Sequence, residues 1–139
     1  GICKKTQPGA AESKNWTEQF MAGPGEFWLD TLDERDEYGR IIGRIWKNYG
    51  TDSQDLAYHL IRNGWAWYVY DPATPAKSRK LYANAEKLAR SEKVGVWSDA
   101  WEEKPVDPRK WKKKYGEGHN FKWWKFRKRI PPAIAPDGE

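Results

Sequence analysis

The spacing of apolar and polar positions changes along the chain, and each change marks an element. Residues 10–22 set Trp16 and Phe20 four apart, on one face of a short helix. Gly23-Pro24-Gly25 breaks it. Residues 26–32 switch to period two, with Phe27, Leu29 and Thr31 on one side of a strand and Trp28 on the other. Asp33 to Gly39 reads as a charged loop and 40–46 as a second strand, so 26–46 predicts a β-hairpin. Thr51, with Gln54 three residues later, forms a capping box. Leu56, Leu60 and Ile61 continue at helical spacing to Gly64, where a left-handed C-terminal glycine belongs.

Trp65 to Tyr70 is an extended aromatic segment, and Asp71-Pro72 turns the chain. Thr74-Pro75 predicts an N-cap followed by proline at the first helical position. Leu81, Ala85, Leu88 and Ala89 carry that helix to about Lys93, and Gly95-Val96-Trp97 closes it. Beyond Trp101 the helical pattern stops, and Pro105 and Pro108 predict an extended connection. Ile130 to Glu139 is a Pro-rich end, and there is no internal repeat.

Composition narrows the class. A chain of 139 residues suits one domain. Mean hydropathy is −1.02, and no apolar run approaches the roughly 18 residues of a membrane span. No apolar stretch of signal-peptide length opens the chain. Ten Trp argue against disorder, because disordered chains are poor in aromatics. The single Cys3 excludes an internal disulfide and leaves the redox compartment open. Neither Cys3, His59 nor His119 has a metal-ligand partner by spacing. Charge is uneven: 109–129 holds ten Lys/Arg against one Glu, so the rest of a chain of net charge +5 is mildly acidic.

That basic segment carries the clearest binding chemistry. Arg109, Lys110, Lys112, Lys113, Lys114, Lys122, Lys125, Arg127, Lys128 and Arg129 would neutralise phosphates. Trp123, Trp124 and Phe126 would stack on bases. Docking on a protein, or wrapping of the segment over its own domain, remains open on the same residues.

The order helix, charged hairpin, capped helix, aromatic segment and helix ending in Gly-x-Trp resembles staphylococcal-nuclease-like (thermonuclease) domains. Asp36-Glu37-Tyr38-Gly39-Arg40 resembles their Asp-x-Tyr-Gly-Arg hairpin, and Tyr68-Val69-Tyr70 their Tyr-x-Tyr segment. Ala85-Glu86, Ala89-Arg90 and Gly95-Val96-Trp97-Ser98 resemble the last helix and its exit. Pro105 to Trp111 resembles the Pro-rich, Trp-containing tail of many bacterial members. The resemblance covers about 10–112.

It implies an α+β fold: a partial OB-like barrel with a β-hairpin plus three helices, followed by a basic aromatic extension. The expected division is an N-terminal segment at 1–9, the domain with an incomplete barrel at 10–112, and the extension at 113–139. The family's first three strands, with their calcium aspartate and phosphate arginine, find no counterpart. In a loose alignment Cys3 stands for a calcium aspartate and Thr6 for the water-activating glutamate. Only Arg40 matches the catalytic set, as a phosphate clamp, and pairing with Asp33, Glu34 or Asp36 is its other reading. Tyr38, Tyr68 and Tyr70 match the nucleotide pocket, or are core aromatics that outlast it.

The expected function is therefore a non-catalytic anchoring subunit that needs no cofactor. It would sit in a larger protein or ribonucleoprotein assembly, with RNA or DNA as possible partners. A calcium-dependent endonuclease, completed by strands missing from this chain, is one alternative. A pure protein–protein module is the other.

Overall fold

A computed structural model describes residues 6–49 and 52–115, without the side chains of 32–34 and 49. Helix α1 (Ala10–Met21) leads into strands β1 (Glu26–Arg35) and β2 (Ile41–Tyr49), then β3 (Asp52–Asp55). Helices α2 (Leu56–Arg62) and α3 (Ala76–Glu92) follow, then a 3-10 turn at Gly95–Trp97 and helix α4 (Pro108–Tyr115). The class is α+β, as the sequence implies.

The sheet is antiparallel in the order β1-β2-β3. Trp28 lies opposite Trp46 and Leu29 opposite Ile45, with an irregularity between Thr31 and Arg35. Gly43 permits this pairing, because a Cβ there would lie 2.8 Å from the Asp30 carbonyl oxygen. The charged loop contracts to a tight turn: the Asp36 amide donates to the Arg40 carbonyl (3.0 Å) and the Gly39 amide to the Asp36 carbonyl (2.9 Å).

Three expectations need correction. The capping box at Thr51 is not where α2 begins. Residues 52–55 instead form β3 on β2, and Asp55 caps the helix by accepting from the Ala57 amide at 3.0 Å. Thr51 itself lies outside the described residues. The next helix starts one residue late: Pro75 is its N-cap, and no side chain caps it. The extended connection holds only to Asp107, after which α4 begins, so the described residues form four α-helices and three strands. The Asp107 carboxylate accepts from the Arg109 amide at 2.8 Å, and Pro108 fits the first turn because it has no amide to satisfy.

Packing is concentrated among the helices. Ile61, Tyr82 and Ala85 form a buried cluster against Ala57, Tyr58, Ala66 and Tyr68. Ala89, Val96 and Trp111 are also buried. Gly64 and Gly95, both at positive φ, join the end of α2 to the exit of α3. A Cβ at Gly64 would lie 2.2 Å from the Val94 carbonyl oxygen, and the Val96 amide donates to the Gly64 carbonyl at 2.8 Å. The sheet is open by contrast: Phe27, Trp28 and Leu29 are 42%, 55% and 60% exposed, so both faces of β1 show apolar side chains to solvent.

Candidate nucleic-acid interface

The hairpin turn organises the first group of residues. Asp36 Oδ1 accepts from the Tyr38 and Arg40 amides, both at 2.9 Å, and Oδ2 accepts from Arg40 Nε. The Arg40 guanidinium also lies over the Tyr38 ring, 5.1 Å from its centroid. Partial burial pushes the Asp36 carboxyl up, but the Arg40 amide and guanidinium and the Tyr38 amide outweigh it and hold the group below the usual carboxylate range. A hydrogen bond to Glu37 pushes the Tyr38 phenol up. Arg40 is thus tied to Asp36, while its side chain remains 54% exposed.

The extended aromatic segment forms the second group. The Tyr68 amide donates to Glu86 Oε2 on α3 at 2.6 Å, which fixes the segment against that helix. Tyr68 and Tyr70 line a depression of about 580 Å³ together with Ala76, Lys77, Arg79, Lys80 and Ala83. Tyr70 is 65% exposed. The Arg79 guanidinium lies 5.2 Å from its ring centroid and donates to the Pro72 and Thr74 carbonyls at 3.2 and 2.8 Å. The alternate residues of the segment face elsewhere. Trp65, Trp67 and Val69 line a cleft of about 480 Å³ against α1 and the start of α4. Tyr68 and Tyr70 therefore share a surface, and Tyr38 and Arg40 share a turn. None of the cavities described here is lined by both sets.

Helix α4 carries the described part of the basic segment. Trp111 is buried and lies 4.5 Å, ring to ring, from Tyr115, while Lys110, Lys112, Lys113 and Lys114 are exposed. Arg109 forks onto the Asp107 carboxylate, Nε to Oδ1 at 3.0 Å and Nη2 to Oδ2 at 2.5 Å. Lys122, Trp123, Trp124, Lys125, Phe126, Arg127, Lys128 and Arg129 lie outside the described residues, as do Cys3 and His119.

A buried polar cluster escapes sequence reasoning altogether. Asp55, at the β3–α2 junction, accepts from Arg44 Nη2 at 3.2 Å and from the Tyr82 hydroxyl. Burial, then the bond to Asp55, pushes the Tyr82 phenol up to about 12. Burial lowers Arg44, but the Asp55 and Tyr82 bonds more than offset it and leave the guanidinium firmly charged. The cluster borders a cleft of about 340 Å³ under β2 and α2. The Asp55 carboxylate is paired with the Arg44 guanidinium and accepts from the Tyr82 hydroxyl, which is the arrangement of a structural clamp, although Arg44 Nε is left without a hydrogen-bond partner.

The resemblance implies calcium in the catalytic form of the fold. Calcium needs several oxygen ligands, carboxylates among them. No group of three or more His, Cys, Asp or Glu that could hold a metal ion occurs among the described residues. The described residues do not fit the ion. Nor is any described helix long and apolar enough to cross a membrane.

Comparison with known proteins agrees with the motifs. The staphylococcal nuclease homologue family matches residues 3–99. An uncharacterized endonuclease of Escherichia coli is 34% identical over 103 residues, covering 70% of this chain and 58% of its own. A probable endonuclease of Nakaseomyces delphensis is 30% identical over 106 residues, covering 73% of this chain and 39% of its own. A prophage-derived endonuclease of Bacillus subtilis is 32% identical over 92 residues, covering 65% and 29%. The matched region thus spans between about a third and three fifths of these relatives' lengths. Hairpin, Tyr-x-Tyr segment and helix exit all fall inside the matched residues, and the chain belongs to the staphylococcal nuclease homologue family.

Proposed function

We propose that this chain is a nuclease-like domain that binds and anchors a polynucleotide within a larger assembly without hydrolysing it on its own. The observation that carries the reading is the surface shared by Tyr68, Tyr70, Lys77, Arg79 and Lys80, which joins ring faces to cations. Phenol rings stack on bases of any identity, and lysines neutralise the phosphates between them. Asp36 engages only the Nε edge of Arg40, so its terminal nitrogens can fork onto a phosphate. Hydrolysis needs more: a base within hydrogen-bond reach of a water, with charge stabilisation opposite. The described residues supply the cation side of that arrangement. The open sheet supports the assembly, because apolar side chains on both faces of β1 gain by being covered. The basic segment from Arg109 to Arg129 would add phosphate contacts.

The names of the relatives favour a second reading, a phosphodiester-cleaving endonuclease. It would draw its metal-holding carboxylates from outside the described residues. One experiment separates the two. The chain is incubated with end-labelled single-stranded DNA and RNA, with calcium and with a chelator. Salt-sensitive retention without cleavage in both conditions is the expected result. Calcium-dependent cleavage that Arg40→Ala abolishes would put the endonuclease in its place. No retention of either polymer would leave only the protein–protein module.

A further inference from the structure

We infer that helix α3 is a track for single-stranded nucleic acid, extending the site at Tyr68 and Tyr70 from one nucleotide to a strand. The inference rests on the nucleic-acid reading above and adds the surface that carries a strand beyond its first nucleotide. Lys77, Lys80, Asn84 and Lys87 are all exposed, and their spacing puts them within an arc of about 80° on α3. The buried face of the same helix carries Tyr82, Ala85 and Ala89. Lys77 and Lys87 stand about 15 Å apart along the axis at 1.5 Å per residue, room for several successive phosphates. No carboxylate pairs with Lys77, Lys80 or Lys87 among the described residues.

The charge is placed against the local preference. The positive end of a helix dipole lies at its N-terminus, where acidic side chains are favoured. Helix α3 has no acidic residue in its first turn and no side-chain cap, and it sets Lys77 and Arg79 there instead, with Lys80 next along the helix. These cations and the helix end repel one another, and an external polyanion relieves the repulsion. The depression lined by Tyr68 and Tyr70 opens onto this same end of α3, with Lys77, Arg79 and Lys80 on its rim. A strand whose base stacks at Tyr70 is thereby led onto the lysine row. Leu81 and Leu88, both exposed beside that row, offer apolar contact to sugars and bases. Stacking of this kind needs an unpaired base, which selects a single strand over a duplex.

The test uses the full chain and oligothymidylates, a dinucleotide and a dodecanucleotide, with binding followed across a salt series. The expected result for Lys77→Gln/Lys80→Gln/Lys87→Gln is a salt slope shallower by about two for the dodecanucleotide, from about 0.7 per phosphate contact on a single strand. Its affinity should fall roughly tenfold at moderate salt with the circular-dichroism spectrum unchanged, and Lys87→Gln alone, outside the depression, should flatten the dodecanucleotide slope by about 0.7 and leave dinucleotide binding unchanged. An unaltered dodecanucleotide slope in Lys87→Gln, with wild-type binding intact, would overturn the track and leave the nucleic-acid reading standing. Failure of the wild type to bind either oligonucleotide would overturn the nucleic-acid reading itself. A duplex dodecamer bound as tightly as the single strand would overturn the single-strand assignment.

Discussion

The helical part and the sheet of this protein are built on opposite terms. Helices α2 and α3 bury Ile61, Tyr82 and Ala85 against each other and close their own core. Strand β1 pairs correctly with β2, yet Phe27, Trp28 and Leu29 remain largely in water. Hydrogen-bonded pairing and apolar burial are thus separable. A hairpin can satisfy its backbone and still leave its hydrophobic faces uncovered, and an open hairpin is marginal without a cover. The difference locates stability in one region and unused binding capacity in the other.

The comparison breaks most sharply at the glycine joint. Gly64→Ala would drive a Cβ into the Val94 carbonyl at a backbone angle that L-residues avoid. The expected loss is about 4 kcal/mol or more, read from urea unfolding. A loss below about 1 kcal/mol would mean that the joint yields. Matched truncations sharpen the contrast further. Ile61→Ala, at 5% exposure, is expected to cost about 2–4 kcal/mol. Leu29→Ala on the open strand should stay within about 0.5 kcal/mol in the isolated chain. Equal costs at the two sites would show that β1 is covered in solution.

A further test concerns Tyr82, where the sheet and the helices meet. Its phenol titrates higher in the folded chain than its ordinary value of 10.0, at about 12. The folded state therefore holds a proton that the unfolded state has released in this window. Stability is fully present below pH 10 and falls as pH rises towards 12. Tyr82→Phe should remove this alkaline decline and cost about 1–3 kcal/mol at neutral pH, because Asp55 loses a donor. A decline that persists in Tyr82→Phe would assign it to another group.

The sequence announces what is periodic or local. The hairpin, α3 and the left-handed Gly64 follow from alternation, helical spacing and a single turn residue. Strand β3 does not, because Asp52-Ser53-Gln54-Asp55 has no apolar residue to alternate, and it joins β2 through backbone pairing and the Asp55 bond to Arg44. Helix α4 is masked by its lysines, and its readable signal was Asp107-Pro108, a cap followed by a first-turn proline. Tyr68 and Tyr70 were legible as a pair. The Arg44–Asp55–Tyr82 cluster was not, since its members come from a strand, a junction and a helix that converge only in the folded chain. The lysine row of α3 is plain in the sequence once the helix is known, but only the neighbouring depression gives it a direction.

The contact between the Val96 amide and the Gly64 carbonyl spans two helices whose backbones nearly touch. No side chain can stand between them, so nothing short of parting α2 from the exit of α3 exposes that proton to water. Its exchange with solvent deuterium becomes a clock for the opening of the helical region as a whole. The outer amides of β1 keep a different, faster time.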